Sequence, residues 1–295
     1  MELDRDQLQK DIIALYTREH AELGVAGTLD HLERGRQWDL SGTLRDGGVL
    51  VFPHAGVKDC GYQIAACVHA VLDSGADKVV VISVLHAFTA DMEAARRAVA
   101  AGGKPSDWPY WGIQGTGIDG PRQEWRGDHA LMSWRHFWNA EVKRRGLPPE
   151  RTPQMIERYP YLAGGKPEEL PGIDALADLV KDAVIVSTAD PFHHGIGYGD
   201  TPENSFDHDE AGLKRAQTVI EEGIRILGEG DYWGYNQHCV TAKSDHRDAG
   251  QVFRYLRGPM TGRVVDMTYS VADELYKAPP PTWVAAPLVE WTLVR

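Results

Sequence analysis

The sequence has little cysteine, with only Cys60, Cys67 and Cys239 among its 295 residues. An odd number of cysteines without regular spacing does not build a disulfide framework, so no oxidative cross-links are expected. Long apolar runs are also missing, because no stretch reaches the roughly 18 consecutive apolar residues of a membrane-spanning helix. The first residues lack the basic start and apolar core of a secretory signal. These absences predict a cytoplasmic protein with reduced thiols and no membrane partner.

Basic residues are scarce as well, since 31 Lys and Arg face 43 Asp and Glu and the formal net charge is −12. Nucleic-acid phosphates are held by a surplus of Lys and Arg, so this deficit excludes a nucleic-acid partner. An anionic membrane surface is excluded for the same reason. The chain is nevertheless 42% hydrophobic, which is enough to bury a substantial core in an ordinary globular protein.

Three short apolar segments indicate strands that are covered on both faces of a sheet: Val49–Phe52, residues 79–84 and residues 183–187. Between the first two, residues 62–74 carry apolar side chains at helical spacing. A strand, a helix and a strand in this order form a βαβ unit with parallel strands. We therefore predict one α/β domain over residues 1–295, with a mostly parallel central sheet flanked by helices.

The N-terminus and the second half of the chain supply the remaining predicted elements. An amphipathic N-terminal helix is expected, because one helical stripe collects the apolar residues Leu8, Ile12, Leu15 and Tyr16. Further helices are predicted over residues 171–180 and 209–227, and antiparallel strands over residues 263–270 and 286–294.

Residues 102–149 do not follow this pattern of predicted strands and helices, because they are rich in Gly, Pro and tryptophan. Five of the nine tryptophans of the chain lie there: Trp108, Trp111, Trp125, Trp134 and Trp138. Trp134 and Trp138 are four residues apart, so they share a face of a helix. Two interpretations stay open. The rings pack this insertion against the main core, or they form the lid of a pocket for a flat aromatic ligand, since such pockets are lined by apolar rings.

Histidines follow the three predicted strands within a few residues. His54 follows the first strand, His86 the second, and His193 and His194 the third. The carboxyl ends of parallel strands lie along one edge of a sheet, where functional groups gather, so these imidazoles are expected to lie close together. Imidazole binds transition metals and exchanges protons near neutral pH. The pattern therefore predicts a metal site or an acid–base site.

A metal site of this kind needs a further ligand, and the residues leave its identity open. Two histidines and a carboxylate with open coordination positions suit non-haem Fe(II), whereas a thiolate in place of the carboxylate suits iron, copper or zinc. The candidates are Asp190 after the third strand and the late group His238, Cys239, Asp245, His246 and Asp248.

Four segments carry a resemblance to the Memo family, whose fold is related to the LigB-type class III extradiol dioxygenases. FPHAGVKDCG, residues 52–61, resembles the family signature Pro-His-Ala-Gly-Tyr-x-x-Cys-Gly. ISVLHA, residues 82–87, resembles a strand followed by Pro-Ser-His-His, and TADPFHHG, residues 188–195, resembles Ser-Asp-Phe-Cys-His-Trp-Gly. Cys239 is similar to the cysteine of a late Cys-Gly-Arg-x-Pro.

The resemblance implies a Memo/LigB-like α/β fold, a metal centre and a reaction. It implies that His54, His86 and Cys239 are the metal ligands. His193 and Asp190 match family positions beside the metal, where they are expected to act in acid–base catalysis. Together these residues imply a mononuclear non-haem Fe(II) dioxygenase that acts with O2 on a small aromatic substrate, either catechol-like or indole-like.

Two other functions stay open. The same two histidines and cysteine suit a copper-dependent oxidoreductase. Some Memo relatives are described as recognising phosphorylated peptides, which implies a binding protein with a vestigial site. Phosphate capture usually requires clustered arginine, and the notable basic group, residues 143–145, lies at a helix end that is predicted to be exposed. Self-association into a homo-oligomer is left open as well.

Overall fold

The apolar segments that precede the histidines form parallel strands in the middle of one sheet. The computed structural model describes residues 4–294. Its strands are β1 (Val49–Phe52), β2 (Lys78–Ile82), β3 (Gly112–Gly115), β4 (Gln154–Tyr161), β5 (Val184–Thr188), β6 (Phe192–Gly195), β7 (Met260–Val271) and β8 (Thr282–Leu293). The sheet order is β3-β4-β2-β5-β1-β8-β6, and β7 pairs with β8.

Over the described residues the sheet is mixed, so the expectation of a mostly parallel sheet holds only for its centre. β4, β2, β5 and β1 run parallel. β3, β8, β6 and β7 add antiparallel pairs on both sides of these four strands. The predicted βαβ unit is present, but β5 lies between β1 and β2 and pairs with both. The predicted antiparallel strands near the C-terminus are confirmed as β7 and β8.

Helices cover both faces of this sheet. They are α1 (Arg5–Arg34), α2 (Ser41–Arg45), α3 (Val57–Ser74), α4 (Ala90–Ala100), α5 (Met132–Arg144), α6 (Ile173–Leu179), α7 (Glu210–Gly228), α8 (Tyr232–Ala242), α9 (Arg247–Arg257) and α10 (Asp273–Tyr276). Within residues 4–294, none of them is both long and apolar enough to cross a membrane.

Alternation along β1 divides the core into two layers. Leu50 and Phe52 pack into one hydrophobic cluster with side chains of α3 and α5. Val49 and Val51 point to the other face, where they pack with side chains of α8 and α9. The strands are therefore buried on both faces, as their continuous apolar sequence predicts.

The predicted N-terminal helix is present as α1, but it changes direction within its length. Its first turn is capped by Asp4, whose Oδ1 accepts a hydrogen bond from the backbone N–H of Gln7 at 3.0 Å. At Gly24 the backbone leaves the helical region, with φ of 56° and ψ of −161°. This positive φ is readily adopted by glycine, and it separates the first part of α1 from the rest.

The tryptophan-rich insertion packs against the main core. Trp134 and Trp138 lie on α5, both are buried, and their ring centroids are 5.8 Å apart. The Trp134 ring also stacks on Phe52 of β1 at a centroid distance of 4.7 Å. The prediction that these two tryptophans share a helical face is confirmed, and this face of α5 packs against the sheet.

Candidate metal centre

A cleft of about 380 Å³ lies at the carboxyl ends of the central parallel strands. His54 follows β1, His86 follows β2 and Asp190 follows β5, and all three residues line the cleft. β5 lies between β1 and β2, so the ends of these strands bring the three side chains to one edge of the sheet. The cleft is therefore the place where the strand-end residues meet.

The ring of His54 is held at Nδ1, which leaves Nε2 facing other polar groups of the cleft. The hydroxyl of Thr188 donates to the backbone oxygen of Phe52 at 2.9 Å. The same hydroxyl oxygen can therefore accept a hydrogen bond from Nδ1 of His54, 2.9 Å away. A neutral His54 then carries its proton on Nδ1 and a lone pair on Nε2. Histidines that bind metals are commonly oriented by an outer hydrogen bond of this kind.

His86 is held in the same way by the carboxylate of Asp128. This carboxylate accepts a hydrogen bond from the backbone N–H of His86 at 2.7 Å, and both of its oxygens lie 3.1 Å from Nδ1 of His86. It also accepts a hydrogen bond from the backbone N–H of Ala130 at 2.9 Å. The lone pair of a neutral His86 therefore also lies on Nε2.

Asp245 supplies a carboxylate close to both of these nitrogens. Its Oδ1 accepts a hydrogen bond from the backbone N–H of Asp190 at 2.9 Å. Its Oδ2 lies 3.1 Å from Nε2 of His54 and 3.7 Å from Nε2 of His86. Oδ2 is buried and finds no partner of normal hydrogen-bond geometry in residues 4–294. Two imidazole lone pairs this close to a carboxylate oxygen repel it unless a cation, either protons or a metal ion, lies between them.

We refer to His54, His86 and Asp245, a candidate site for a metal ion, as the metal centre. The electrostatics of this group favour positive charge. Burial lowers the pKa of His86, but Asp128 and Asp245 outweigh this effect and raise the pKa to about 10. Burial opposes the charged form of His54 too, yet Asp190 and Asp245 raise its pKa. Burial raises the pKa of Asp245, but His54 and His86 hold it well below its usual value. A transition metal fits here in place of the protons, because metal ligands are deprotonated.

Asp190 lies beside the metal centre. Its Oδ2 is 3.8 Å from Nε2 of His54, and its Oδ1 accepts a hydrogen bond from the backbone N–H of His54 at 3.1 Å. Burial raises the pKa of Asp190 to about 6, with the charge of Asp245 acting in the same direction against that of His54. Asp190 therefore holds a proton more readily than an ordinary aspartate, which suits an acid–base residue.

His129 adds a third imidazole, which no sequence pattern indicated because this residue follows no strand. It precedes α5, and its ring centroid lies 4.2 Å from that of His86 and 5.8 Å from that of His54. Its Nδ1 is buried and has no hydrogen-bond partner within the described part of the chain. Burial, together with the charge of His86, lowers its pKa well below the usual value. His129 is therefore a neutral imidazole with an unused nitrogen.

Two overlapping sets of ligand atoms lie within 4.8 Å of one another. One set comes from His54, His86 and His129, and the other comes from His54, Asp190 and Asp245. His54 belongs to both sets. The cleft thus offers an all-imidazole set and a set of mixed imidazole and carboxylate ligands, and both types bind transition metals.

The two neighbouring histidines of β6 face opposite sides of the strand, as alternation requires. His193 lines the cleft, its Nδ1 is buried without a partner among residues 4–294, and burial lowers its pKa to about 4. His194 is engaged elsewhere, where its Nε2 accepts a hydrogen bond from the backbone N–H of Phe206 at 2.9 Å and its Nδ1 lies 3.1 Å from Asp200. Of the two, His193 is the one placed to exchange protons with a molecule in the cleft.

Cys239 does not join the metal centre, which corrects its assignment as the third ligand. It lies on α8 and packs in the core cluster on the Val51 side of the sheet. No group of neighbouring ligand atoms among the described residues includes it. Burial raises the pKa of its thiol to about 12, so the thiol stays protonated. α8 ends just before Lys243, whose φ of 55° turns the chain so that Asp245 enters the cleft instead.

Replacing Cys239 with serine is therefore expected to leave the metal content of the protein unchanged. The thiol packs in the core, and its loss removes no ligand atom from the metal centre. Metal analysis of the parent protein and of Cys239→Ser after identical loading with Fe(II) checks this. Asp245→Asn, loaded in parallel, is the matched comparison. If the serine variant lost its metal while Asp245→Asn kept it, the cysteine would be restored as the ligand.

α1, rather than the tryptophan-rich insertion, builds part of the cleft wall. The predicted stripe of this helix lines the cleft through Leu8, Ile12, Leu15 and Tyr16. Among the described residues of the insertion, His129 lines the cleft and none of the five tryptophans does. Of the two interpretations of these rings, packing of the insertion against the core therefore agrees with the structure, and the tryptophans form no part of the wall of this cleft.

Comparison of the chain with protein-family models gives no match, and comparison with curated proteins gives none either. The resemblance to the Memo family therefore rests on the short motifs of the sequence.

Proposed function

We propose that this protein is a metal-dependent oxidoreductase, and specifically a mononuclear non-haem Fe(II) dioxygenase that acts with O2 on a small catechol-like or indole-like aromatic substrate. The observation that supports this most is the approach of Nε2 of His54 and Nε2 of His86 to the same oxygen of Asp245. Two histidines and one carboxylate, with further positions open to the cleft, suit non-haem Fe(II).

The residues around the metal centre have distinct parts in this proposal. Fe(II) held by His54, His86 and Asp245 would supply the redox chemistry that O2 requires. Thr188 and Asp128 keep Nδ1 of the two histidines occupied, so that Nε2 of each ring stays available as a ligand. The cleft wall is mixed, with charged and polar side chains beside apolar and aromatic ones such as Ile12, Phe88 and Tyr276, and these rings and alkyl groups can pack against an aromatic substrate.

His193 and Asp190 are the residues proposed to move protons. His193 lines the cleft and is neutral at pH 7, so it has a lone pair that can take a proton from a substrate hydroxyl. Asp190 has a pKa raised to about 6 and lies next to His54, so it can take up and release a proton close to the centre. General acids and bases placed in this way typically contribute about 10²- to 10⁴-fold to a rate.

A copper-dependent oxidoreductase is the second candidate, and one observation favours it. The ligand atoms of His54, His86 and His129 lie within 4.8 Å of one another, and sets of imidazoles suit copper as well as iron. The basic group at residues 143–145 does not support the phosphopeptide-binding alternative. Arg144 and Arg145 both pair with Glu141 on their own helix, so this basic group is engaged within the fold.

Metal analysis combined with O2 consumption tests the proposal. The purified protein is loaded without oxygen with Fe(II), copper or zinc, freed of excess metal, and mixed with catechol or indole substrates in oxygenated buffer. We expect one Fe(II) to be retained and O2 to be consumed by the iron form only. O2 consumption by the copper form alone would select the second candidate, and failure to retain any of the three metals would overturn both.

A further inference from the structure

Three arginines surround one buried glutamate in the wall of the same cleft. Arg96 donates to the carboxylate of Glu93 through Nε and Nη2 at 2.8 and 2.9 Å, and Arg97 donates through Nε at 2.7 Å. Nη2 of Arg5 on α1 lies 3.3 Å from the same carboxylate. All four residues line the cleft. We call Arg5, Arg96 and Arg97 the arginine cluster.

The arginine cluster carries more positive charge than Glu93 can neutralise. One carboxylate faces three guanidinium groups, which leaves a formal excess of two positive charges at this cluster. The other carboxylates that line the cleft contact different groups: Glu19, Asp59, Asp190 and Asp245. The Glu93 side chain is only 8% exposed, whereas those of Arg96 and Arg97 are 38% and 76% exposed. The glutamate thus lies beneath the arginines, and their outer N–H groups remain accessible to a ligand. Like charges held this close repel one another, and an anion bound from the cleft offsets that repulsion.

The arginine cluster lies close to the metal centre. Nη1 of Arg5 donates to the backbone oxygen of Ala87 at 3.1 Å, and Ala87 directly follows His86. The ring of Phe88 comes next, with its centroid 5.4 Å from that of His86. Arg5 and Phe88 therefore lie along the part of the cleft wall between His86 and the arginine cluster, and an arm on an aromatic ring beside Phe88 can extend toward the arginines.

We propose that the substrate carries a carboxylate on an arm of its aromatic ring and that Arg96 and Arg97 bind this carboxylate. Guanidinium groups pair with carboxylates through parallel, charge-assisted hydrogen bonds, which give both affinity and orientation. The carboxylate anchors the arm at α4 and thereby directs the ring toward the metal centre. This inference rests on the proposed function, because it assumes that the ring of the substrate binds at the metal centre.

Two catechol probes that differ only in the carboxylate test the inference. Hydrocaffeate carries a propionate arm, and ethylcatechol has an arm without charge. Binding of each to the Fe(II)-loaded protein is measured by calorimetry without oxygen. We expect hydrocaffeate to bind at least about tenfold more tightly, a difference of about 1.4 kcal/mol. Arg96→Gln and Arg97→Gln should each weaken the binding of hydrocaffeate and leave that of ethylcatechol unchanged.

Arg225→Gln is the matched control. Arg225 lies on α7, pairs with Glu222 and Glu229 as Arg96 pairs with Glu93, and does not line the cleft among the residues described. The preference for hydrocaffeate should persist in this variant. Equal binding of the two probes to the parent protein, or a preference that survives in both cluster variants, would overturn the inference and leave the proposed function standing. If neither probe bound to the iron-loaded protein, the catechol form of the proposed function would fail, and the inference with it.

Discussion

The variants His54→Ala and Asp245→Asn are each expected to lose nearly all bound Fe(II) while keeping the fold. Each change removes one of two ligand atoms that face each other in the candidate site: Nε2 of His54, or the buried Oδ2 of Asp245 that lies 3.1 Å from it. Substitutions that only disturb the support of a ligand typically cost about 10- to 100-fold in metal affinity, so removal of a ligand should cost more. Metal content after dialysis against a weak chelator measures the loss, and circular dichroism reports the fold.

His238→Ala is the control for the histidine variant. His238 is half-buried and belongs to neither set of neighbouring ligand atoms in residues 4–294, so its variant should retain the Fe(II) content of the parent protein. Asp248→Asn is the control for the carboxylate variant, because the Asp248 carboxylate accepts hydrogen bonds from the backbone N–H groups of Leu162 and Ala163. Parent-like iron content in both His54→Ala and Asp245→Asn would remove the metal centre from the proposal.

The parts of the site that follow strands could be predicted because local sequence determines them. A run such as VLVF has the continuous apolar character of a doubly covered strand, and the residue two positions after it, His54, must lie at the carboxyl edge of the sheet. The same reasoning places His86 and Asp190. These three residues line the cleft, since the strands that carry them are neighbours in the sheet.

The third ligand could not be derived in this way, because it depends on how a helix ends. Cys239 and Asp245 are six residues apart, and both are reasonable ligands on chemical grounds. Lys243 separates the two residues in the structure. It is a non-glycine residue with φ of 55° at the end of α8, and the chain that follows it places Asp245 in the cleft. Such a conformation is uncommon outside glycine and asparagine, so residues 243–245, Lys-Ser-Asp, do not predict it.

Long-range packing explains the remaining differences. β6 is four residues long and pairs with β8, which comes from the far end of the chain, so the sequence FHHG did not indicate a strand. His129 reaches the cleft only because α5 docks on the sheet through Trp134 and Phe52. The tryptophans of the insertion therefore contribute to the site indirectly. They hold α5 against the sheet and thereby position His129, which precedes this helix.

The variant His193→Ala should keep its Fe(II) and bind a catechol probe normally, yet its turnover should fall by about 10²- to 10⁴-fold. His193 lines the cleft and carries an unpartnered, buried Nδ1, but the groups of neighbouring ligand atoms in the described chain do not include it. Its expected part is therefore to accept and return a proton rather than to hold the metal. Metal content, ethylcatechol affinity and the rate of O2 consumption, measured on one preparation, separate these functions.

His194→Gln is the matched comparison on the same strand. His194 lies on the other side of β6, and a glutamine oxygen can still accept the hydrogen bond from the backbone N–H of Phe206. Its turnover should therefore stay close to that of the parent protein. Loss of iron from His193→Ala would make this histidine a ligand and would contradict the proposed division of roles. If His193→Ala kept both its iron and its full activity, the acid–base role would instead be assigned to His129. His129 is the other neutral imidazole with an unpartnered nitrogen among the cleft residues described here.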